Sequence, residues 1–191
     1  ELKTFKKKSE YKKLFNLCSD LMLEIVEGRK PVIAKVHGAA FAAGCQLAAS
    51  CDLALSTNDA MFATPGVNIG LFCSTPMVAV SRKVSKKRMM KMLLTGDPIT
   101  AQYAKEIGLI NDHYTKSKLN YEVLSLARKI ASKSNLTIKI GKKAFYKQSE
   151  MSLRKAYKFT SKVMTENMMA MDAKEGISAF IEKRKPNWKN K

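Results

Sequence analysis

KPVIAKVHGAAFAAGCQLAASCDLALSTNDAMFATPGVNIGLF, running from Lys30 to Phe72, is the stretch on which the fold turns. Pro31–His37, which carries Val32, Ile33 and Val36, predicts a short, largely buried strand. His37–Ala43 is a loop of Gly and Ala, and Gly44–Cys51 predicts a short buried helix beginning at about Ala43-Gly44. Leu53–Ser56 predicts a second strand and Thr57–Asp59 a turn. Met61–Ala63 predicts a third strand, stopped by Thr64-Pro65-Gly66. A helix start behind a loop of small side chains presents free N–H groups and the positive end of a dipole. It also lets a ligand approach the backbone closely. That arrangement builds half of an oxyanion-stabilising pair; tight helix–strand packing calls for the same residues.

Upstream, Ser9–Glu27 places Tyr11, Leu14, Phe15, Cys18, Leu21, Met22 and Ile25 at three- and four-residue steps, an amphipathic helix with Gly28 as its stop. Downstream of Pro76 the pattern is helical. Helices are predicted at Met77–Val84, Lys87–Leu94, Ala101–Ile107, Asn120–Lys133, Leu136–Gln148, Leu153–Met171 and Ala173–Lys183. Leu109-Ile110 reads as a short strand, Thr100 and Ser152 as N-caps, Gly96 and Gly108 as C-terminal stops. Strands alternating with helices early, and helices alone late, predict a layered α/β core with a helical C-terminal extension.

The chain has 191 residues, 46% of them hydrophobic and 8% aromatic, which suits a folded domain and excludes wholesale disorder. Its longest low-charge run, Val36–Cys51, is broken by Gly38 and Gly44 and is shorter than the ~18 residues of a membrane span. Cys18, Cys45, Cys51 and Cys73 match no zinc spacing, and His37 and His113 stand far apart, so free thiols and no metal are expected. The formal charge is +19, yet residues 31–80 hold a single basic side chain, Lys35, beside Asp52 and Asp59. The excess therefore lies on the flanking helices as a Lys-rich solvated surface. Aromatic residues are not interleaved with it as a single-strand nucleic-acid binder requires. The sequence opens on Glu1 rather than Met, so a processed or incomplete chain is expected, and no signal or transit peptide is visible.

Three blocks, Lys30–Phe72, LLTGDPITAQYAKEIGLIND (93–112) and DAKEGISAFIEKRKPNW (172–188), resemble the crotonase, or enoyl-CoA hydratase/isomerase, superfamily in order and spacing. The resemblance implies an α/β crotonase-like (ββα) core with a C-terminal helical region. Residues 1–118 would be the later part of that core, without its N-terminal strands, and residues 119–191 a helical oligomerisation region. It implies acyl-CoA as ligand or substrate, no further cofactor, self-association as a trimer or hexamer, and a mitochondrial location. The family's second oxyanion-hole N–H falls on Ala43, with Gly44 next. The first would come from a Ser/Ala-Gly-x-Asp loop ahead of the first helix, where this chain begins. Phe180 and Lys183 match family positions that reach the CoA nucleotide, often from a neighbouring subunit.

The departures are as informative. The family's two catalytic glutamates fall on Gln46 and Gly66, which offer an amide and no side chain. Positioned acid/base groups are worth ~10²–10⁴-fold, so weak or no hydratase activity is expected. Cys73-Ser74-Thr75-Pro76-Met77 replaces the usual Pro-Gly-Ala-Gly-Gly turn and puts a thiol at the pocket wall, with no His or carboxylate in evidence to activate it. Asp52 reads as structural. Beside an acyl-CoA binder of fatty acid metabolism stand two alternatives: a non-catalytic oligomeric binding subunit, and a basic nucleic-acid- or membrane-associated protein.

Overall fold

Regular spacing of apolar residues winds α1 (Lys8–Glu27), which buries Met22 and leaves Leu17, Leu21 and Leu23 exposed. Glu10 in its first turn accepts the amides of Lys6 at 3.1 Å and Lys7 at 2.8 Å. The computed structural model describes Thr4 and residues 6–191, so the first residues of the 1–118 portion, 1–3 and 5, lie outside the described residues. The chain divides into two units. One takes in the chain up to Val26 and Val32–Leu124, the other Glu27–Pro31 and Ser125–Lys191.

The first unit holds two three-stranded sheets. β1 (Ile33–Val36), β3 (Leu53–Thr57) and β6 (Asp112–Tyr114) form the first, parallel throughout, with Ile33 opposite Leu53 and Leu55 opposite Asp112. β2 (Ala39–Phe41), β4 (Met61–Ala63) and β5 (Ile99–Thr100) form the second. There β2 runs parallel to β4 and β5 antiparallel to it. α2 (Ala43–Ser50) follows β2, and a 3₁₀ turn (Pro65–Ile69) follows β4. α3 (Ser74–Val80), α4 (Lys86–Thr95) and α5 (Ala101–Glu106) complete the layer. Small residues let α2 pack closely on α3: Cys45, Ala48 and Ala49 are all buried, in a core with Phe62, Val80, Met89, Met92 and Leu93. Asp52 takes the Val32 amide at 2.7 Å, the structural role expected of it.

Several expectations need correction. Residues 37–43 are not all loop, because Ala39–Phe41 pairs with Met61–Ala63. Alanine has little strand propensity, so only the partner reveals this strand. Leu109-Ile110 is not a strand. Both amides turn back to the Ala104 carbonyl, at 2.8 and 3.3 Å, closing α5 around Gly108 at φ +81°. The strand comes later, at β6. Helix ends shift too: α3 starts at Ser74 and stops at Val80, and α8 (Leu153–Met168) stops short of Met171. Thr100 caps α5 by accepting the Tyr103 amide at 3.2 Å, whereas the Ser152 side chain makes no capping bond.

The second unit contains the later turns of α6 (Lys116–Ala131), then α7 (Asn135–Ser149), α8 and α9 (Met171–Ile181), with α7 packed on α8. Its polar centre is Asp172, 2% exposed, which accepts the Ser134 hydroxyl and the amides of Lys189 (2.6 Å) and Asn190 (3.0 Å). Burial would raise the pKa of this carboxyl, but those three donors outweigh it and hold it below the usual aspartate range. Glu175 grips Arg184 through both oxygens, at 2.7 and 3.0 Å, and takes the Asn187 amide at 2.7 Å. Trp188 lies against Gly176 and donates its indole N–H to Ser132 at 2.9 Å. The tail after α9 is thus strapped down by two carboxylates and one ring. Among the described residues no helix is long and apolar enough to cross a membrane.

Candidate functional site

The start of α2 is set by strand pairing. Phe41 registers with Ala63, and the Ala42 amide donates to the Ala63 carbonyl at 2.9 Å. The chain then turns sharply, with Ala42 at φ 47°, ψ −112°, before entering the helix. That is left-handed territory for a residue with a Cβ, a conformation costing roughly 1–3 kcal/mol that persists only when its surroundings impose it. The turn aims the first helical amides outward. Ala43 and Gly44, the two residues expected on the oxyanion side, are exposed, and among the described residues no backbone carbonyl takes either amide.

Gln46 stands one turn in, its amide on the Ala42 carbonyl at 3.0 Å. Its side chain is 4% exposed, and the carboxamide oxygen has no hydrogen-bond partner. Thr64, the residue after Ala63, is fully buried with its hydroxyl equally unpartnered. It occupies the N-cap position of the 3₁₀ turn without capping it. Threonine at such a place ordinarily spends its hydroxyl on a backbone amide. The sequence reading missed Thr64; its only signal was a hydroxyl residue immediately before Pro65.

Gly66 lies in the 3₁₀ turn, and the loop beyond closes on it. The Leu71 amide returns to the Gly66 carbonyl at 2.9 Å, and the Gly66 amide donates to the Cys73 sulphur at 3.3 Å. A Cβ at this position would stand 2.7 Å from the Leu71 carbonyl oxygen and 2.9 Å from that sulphur. The loop therefore accepts no side chain at 66 without moving. The thiol and a backbone carbonyl fill the space that a glutamate would have to enter. Cys73 is buried at the head of α3, and Cys45 lies buried on α2. Burial pushes the Cys45 thiol up to about 12, with Cys73 adding to the effect and the Ala63 backbone opposing it. Cys45 is a protonated packing group at neutral pH, not a nucleophile. All four cysteines are free, and Cys18 is only half-buried.

Apolar side chains remain exposed on the segments bordering this start: Phe41 on β2, Leu47 on α2, and Ile69, Leu71 and Phe72 around the loop. The remaining two predicted residues belong to the second unit. Phe180 is exposed near the end of α9, and Lys183 just beyond it adopts φ 54°. Arg184 closes the helix by donating its amide to Ala179 at 3.0 Å, so Lys183 sits where a C-terminal helix cap ordinarily has glycine. Among the described residues no group of three His, Cys, Asp or Glu could hold a metal ion.

The model of the Enoyl-CoA hydratase/isomerase family matches residues 2–191. The human enoyl-CoA hydratase domain-containing protein 3, mitochondrial, is 46% identical over 175 residues, which are 92% of this chain and 58% of that relative. The chain thus spans less than two thirds of that relative's length. The crystal structure of human enoyl Coenzyme A hydratase domain-containing protein 3 superposes with a TM-score of 0.95 at 46% identity, covering 98% of this chain and 76% of that one. An enoyl-CoA hydratase from Mycobacterium smegmatis also gives 0.95 at 46% identity, covering 97% and 72%.

Proposed function

The chain belongs to the enoyl-CoA hydratase/isomerase family, and on that premise we propose that it binds an acyl-CoA thioester without hydrating it efficiently. The observation that carries this reading is the start of α2: exposed Ala43 and Gly44, whose amides no backbone carbonyl takes among the described residues, with exposed apolar side chains on the bordering segments and Gln46 and Gly66 at the two positions where the family resemblance places glutamates. The Ala43 amide would donate to the thioester carbonyl oxygen, and the apolar border would take the acyl chain. An amide polarises a carbonyl but moves no proton, and Gln46 exchanges none near neutral pH. Hydration needs a base to activate water and an acid for the α-carbon, and neither position 46 nor position 66 supplies one. The ligand itself is the only small molecule this chemistry requires. Phe180 and Lys183, offered by a second copy of the chain, would meet the nucleotide of CoA, the ring by stacking and the ammonium by charge.

Self-association as a trimer or hexamer is part of the proposal. Leu153, Tyr157, Met164, Met169, Phe180 and Ile181 of the second unit are all more than half exposed, an apolar surface that a second copy would cover. A mitochondrial location is proposed from relatives whose names carry it.

Isothermal titration with butyryl-CoA tests binding, and the fall in enoyl absorbance of crotonyl-CoA tests turnover. Saturable binding with turnover at least ~10²-fold below a two-glutamate hydratase is expected. Ordinary hydratase rates would overturn the reading of Gln46 and Gly66, and absence of acyl-CoA binding would overturn the whole. Restoring glutamate at both positions is not a clean control, because the loop closed on Gly66 must first be rebuilt.

A further inference from the structure

The elbow between α3 and α4 carries a charge pattern that the acyl-CoA site does not use. Arg82, Lys83, Lys86, Lys87, Arg88 and Lys91 place six cations in ten residues, more than any other ten residues of the chain hold. No Asp or Glu stands between Asp59 and Asp97. Met89, Met92 and Leu93 fix the buried face of α4. The helical repeat then sets Lys86, Met90 and Leu94 in one exposed row, each a turn apart, with Lys87 and Lys91 in the row beside it. Met90 is 49% and Leu94 62% exposed, and Val78 on α3 is 50% exposed. Lys86, Lys87, Arg88 and Lys91 are exposed too, and among the described residues none of them forms an ion pair. This pattern opposes the helix that bears it. A helix N-terminus is the positive end of the dipole and favours carboxylates. Yet the first turn of α4 holds Lys86, Lys87 and Arg88, and Ser85 ahead of them makes no capping bond. Lys87 and Lys91 also repel across one turn. Local rules broken at an exposed place, with no gain inside the fold, point to a gain on contact with something anionic.

We infer that the α3–α4 elbow is a docking surface for an anionic lipid bilayer, held by the charges of Lys86, Lys87, Arg88 and Lys91 and seated by Met90 and Leu94. Charge complementarity selects an anionic partner, each cation near such a surface strengthening binding roughly fivefold. The two apolar side chains select a bilayer over a nucleic acid. They can enter the headgroup boundary while the lysines beside them snorkel to the phosphates. A base, by contrast, would find nothing to stack on, because no aromatic residue stands between Phe72 and Tyr103. At ten residues, α4 is too short to cross a bilayer and would lie on it. This docking stands apart from the acyl-CoA site, and neither depends on the other.

The test is flotation of the protein with vesicles of phosphatidylcholine alone and of equimolar phosphatidylcholine and phosphatidylserine. The unaltered protein should float with the anionic vesicles, stay behind with the neutral ones, and come off as salt is raised. Lys86→Gln, Lys87→Gln and Lys91→Gln combined should weaken the binding about a hundredfold. Met90→Gln with Leu94→Gln keeps every charge and should weaken it about tenfold while the salt dependence stays. All five side chains are exposed, and circular dichroism verifies that both variants fold. No flotation with either vesicle, equal flotation with both, or flotation that survives the lysine substitutions would overturn the surface. Binding that survives Met90→Gln with Leu94→Gln would overturn it as well, and displacement by a single-stranded RNA would then assign the patch to nucleic acid.

Discussion

Two buried polar centres, one in each unit, treat their hydrogen bonds in opposite ways. Around Asp172 every carboxylate oxygen is engaged by Ser134, Lys189 or Asn190, and the tail is fastened as a result. Around the start of α2, the Gln46 and Thr64 oxygens and the Ala43 and Gly44 amides all lack partners. The first centre uses its polar groups for the fold. The second leaves them unpaired, and the protein carries the cost in the strained turn at Ala42 and in two unpaired oxygens. The second unit holds an unpaired buried oxygen too, that of Asn167, so what sets the α2 start apart is the two open amides beside its unpaired oxygens.

The largest effect that would sharpen this contrast comes from pure packing. Phe62 is fully buried on β4, two residues before Thr64, and Phe62→Ala should cost about 3–5 kcal/mol in urea unfolding. A cost below 1 kcal/mol would show that the core around the site is loose, and would remove the reason to treat its unpaired atoms as held in place.

Gly66→Ala comes next. The added Cβ meets a backbone carbonyl that cannot rotate away, so a loss of about 1–3 kcal/mol is expected, the usual range for overpacking. A neutral result would mean that the loop from Gly66 to Cys73 yields easily. Position 66 would then be open to an acid after all.

Smaller again is Ser134→Ala, which removes both the α7 cap to the Thr137 amide and a donor to Asp172. A loss of about 0.5–2 kcal/mol is expected. Thr64→Val should move the other way, by up to about 1 kcal/mol toward greater stability in the ligand-free protein, since it removes an unpaired buried hydroxyl. Opposite signs for these two substitutions are the direct measure of the contrast. The same sign would erase it.

The smallest effect is a pH response of the tail. Arg184 and Asn187 lower Glu175 from 4.5 to about 2. Because the folded pKa is the lower one, the stabilisation is present above 4.5 and is lost as the pH falls through about 2. Trp188 is the single tryptophan of the chain, so its fluorescence reports the strap. Its emission should hold steady down to about pH 4.5 and change toward pH 2. In Glu175→Gln the part of this change due to Glu175 should be gone, and a change identical to that of the unaltered protein would show that the strap does not depend on the ion pair.

Much of this was legible in the chain itself. The α/β class followed from the run between Lys30 and Phe72, because burial patterns and the punctuation of Gly and Pro are local properties. The family followed from three blocks in order. The helix start at Ala43 was likewise visible, as were an amide at position 46 and a glycine at position 66, since residue identity requires no coordinates. Strand pairing, loop closure and the fate of buried polar atoms are not local. Ala39–Phe41 is a strand only because Met61–Ala63 lies beside it. The positive φ at Ala42 is unreadable in an alanine. That Gly66 excludes a side chain depends on Leu71 and Cys73 folding back over it. That Thr64 keeps an unspent hydroxyl, while Ser134 spends its own twice, depends on what each meets across the fold. A sequence determines which groups can bond, but whether a buried group has a partner is decided by residues distant in the chain, and only the tertiary structure brings them within 3 Å or leaves the place empty.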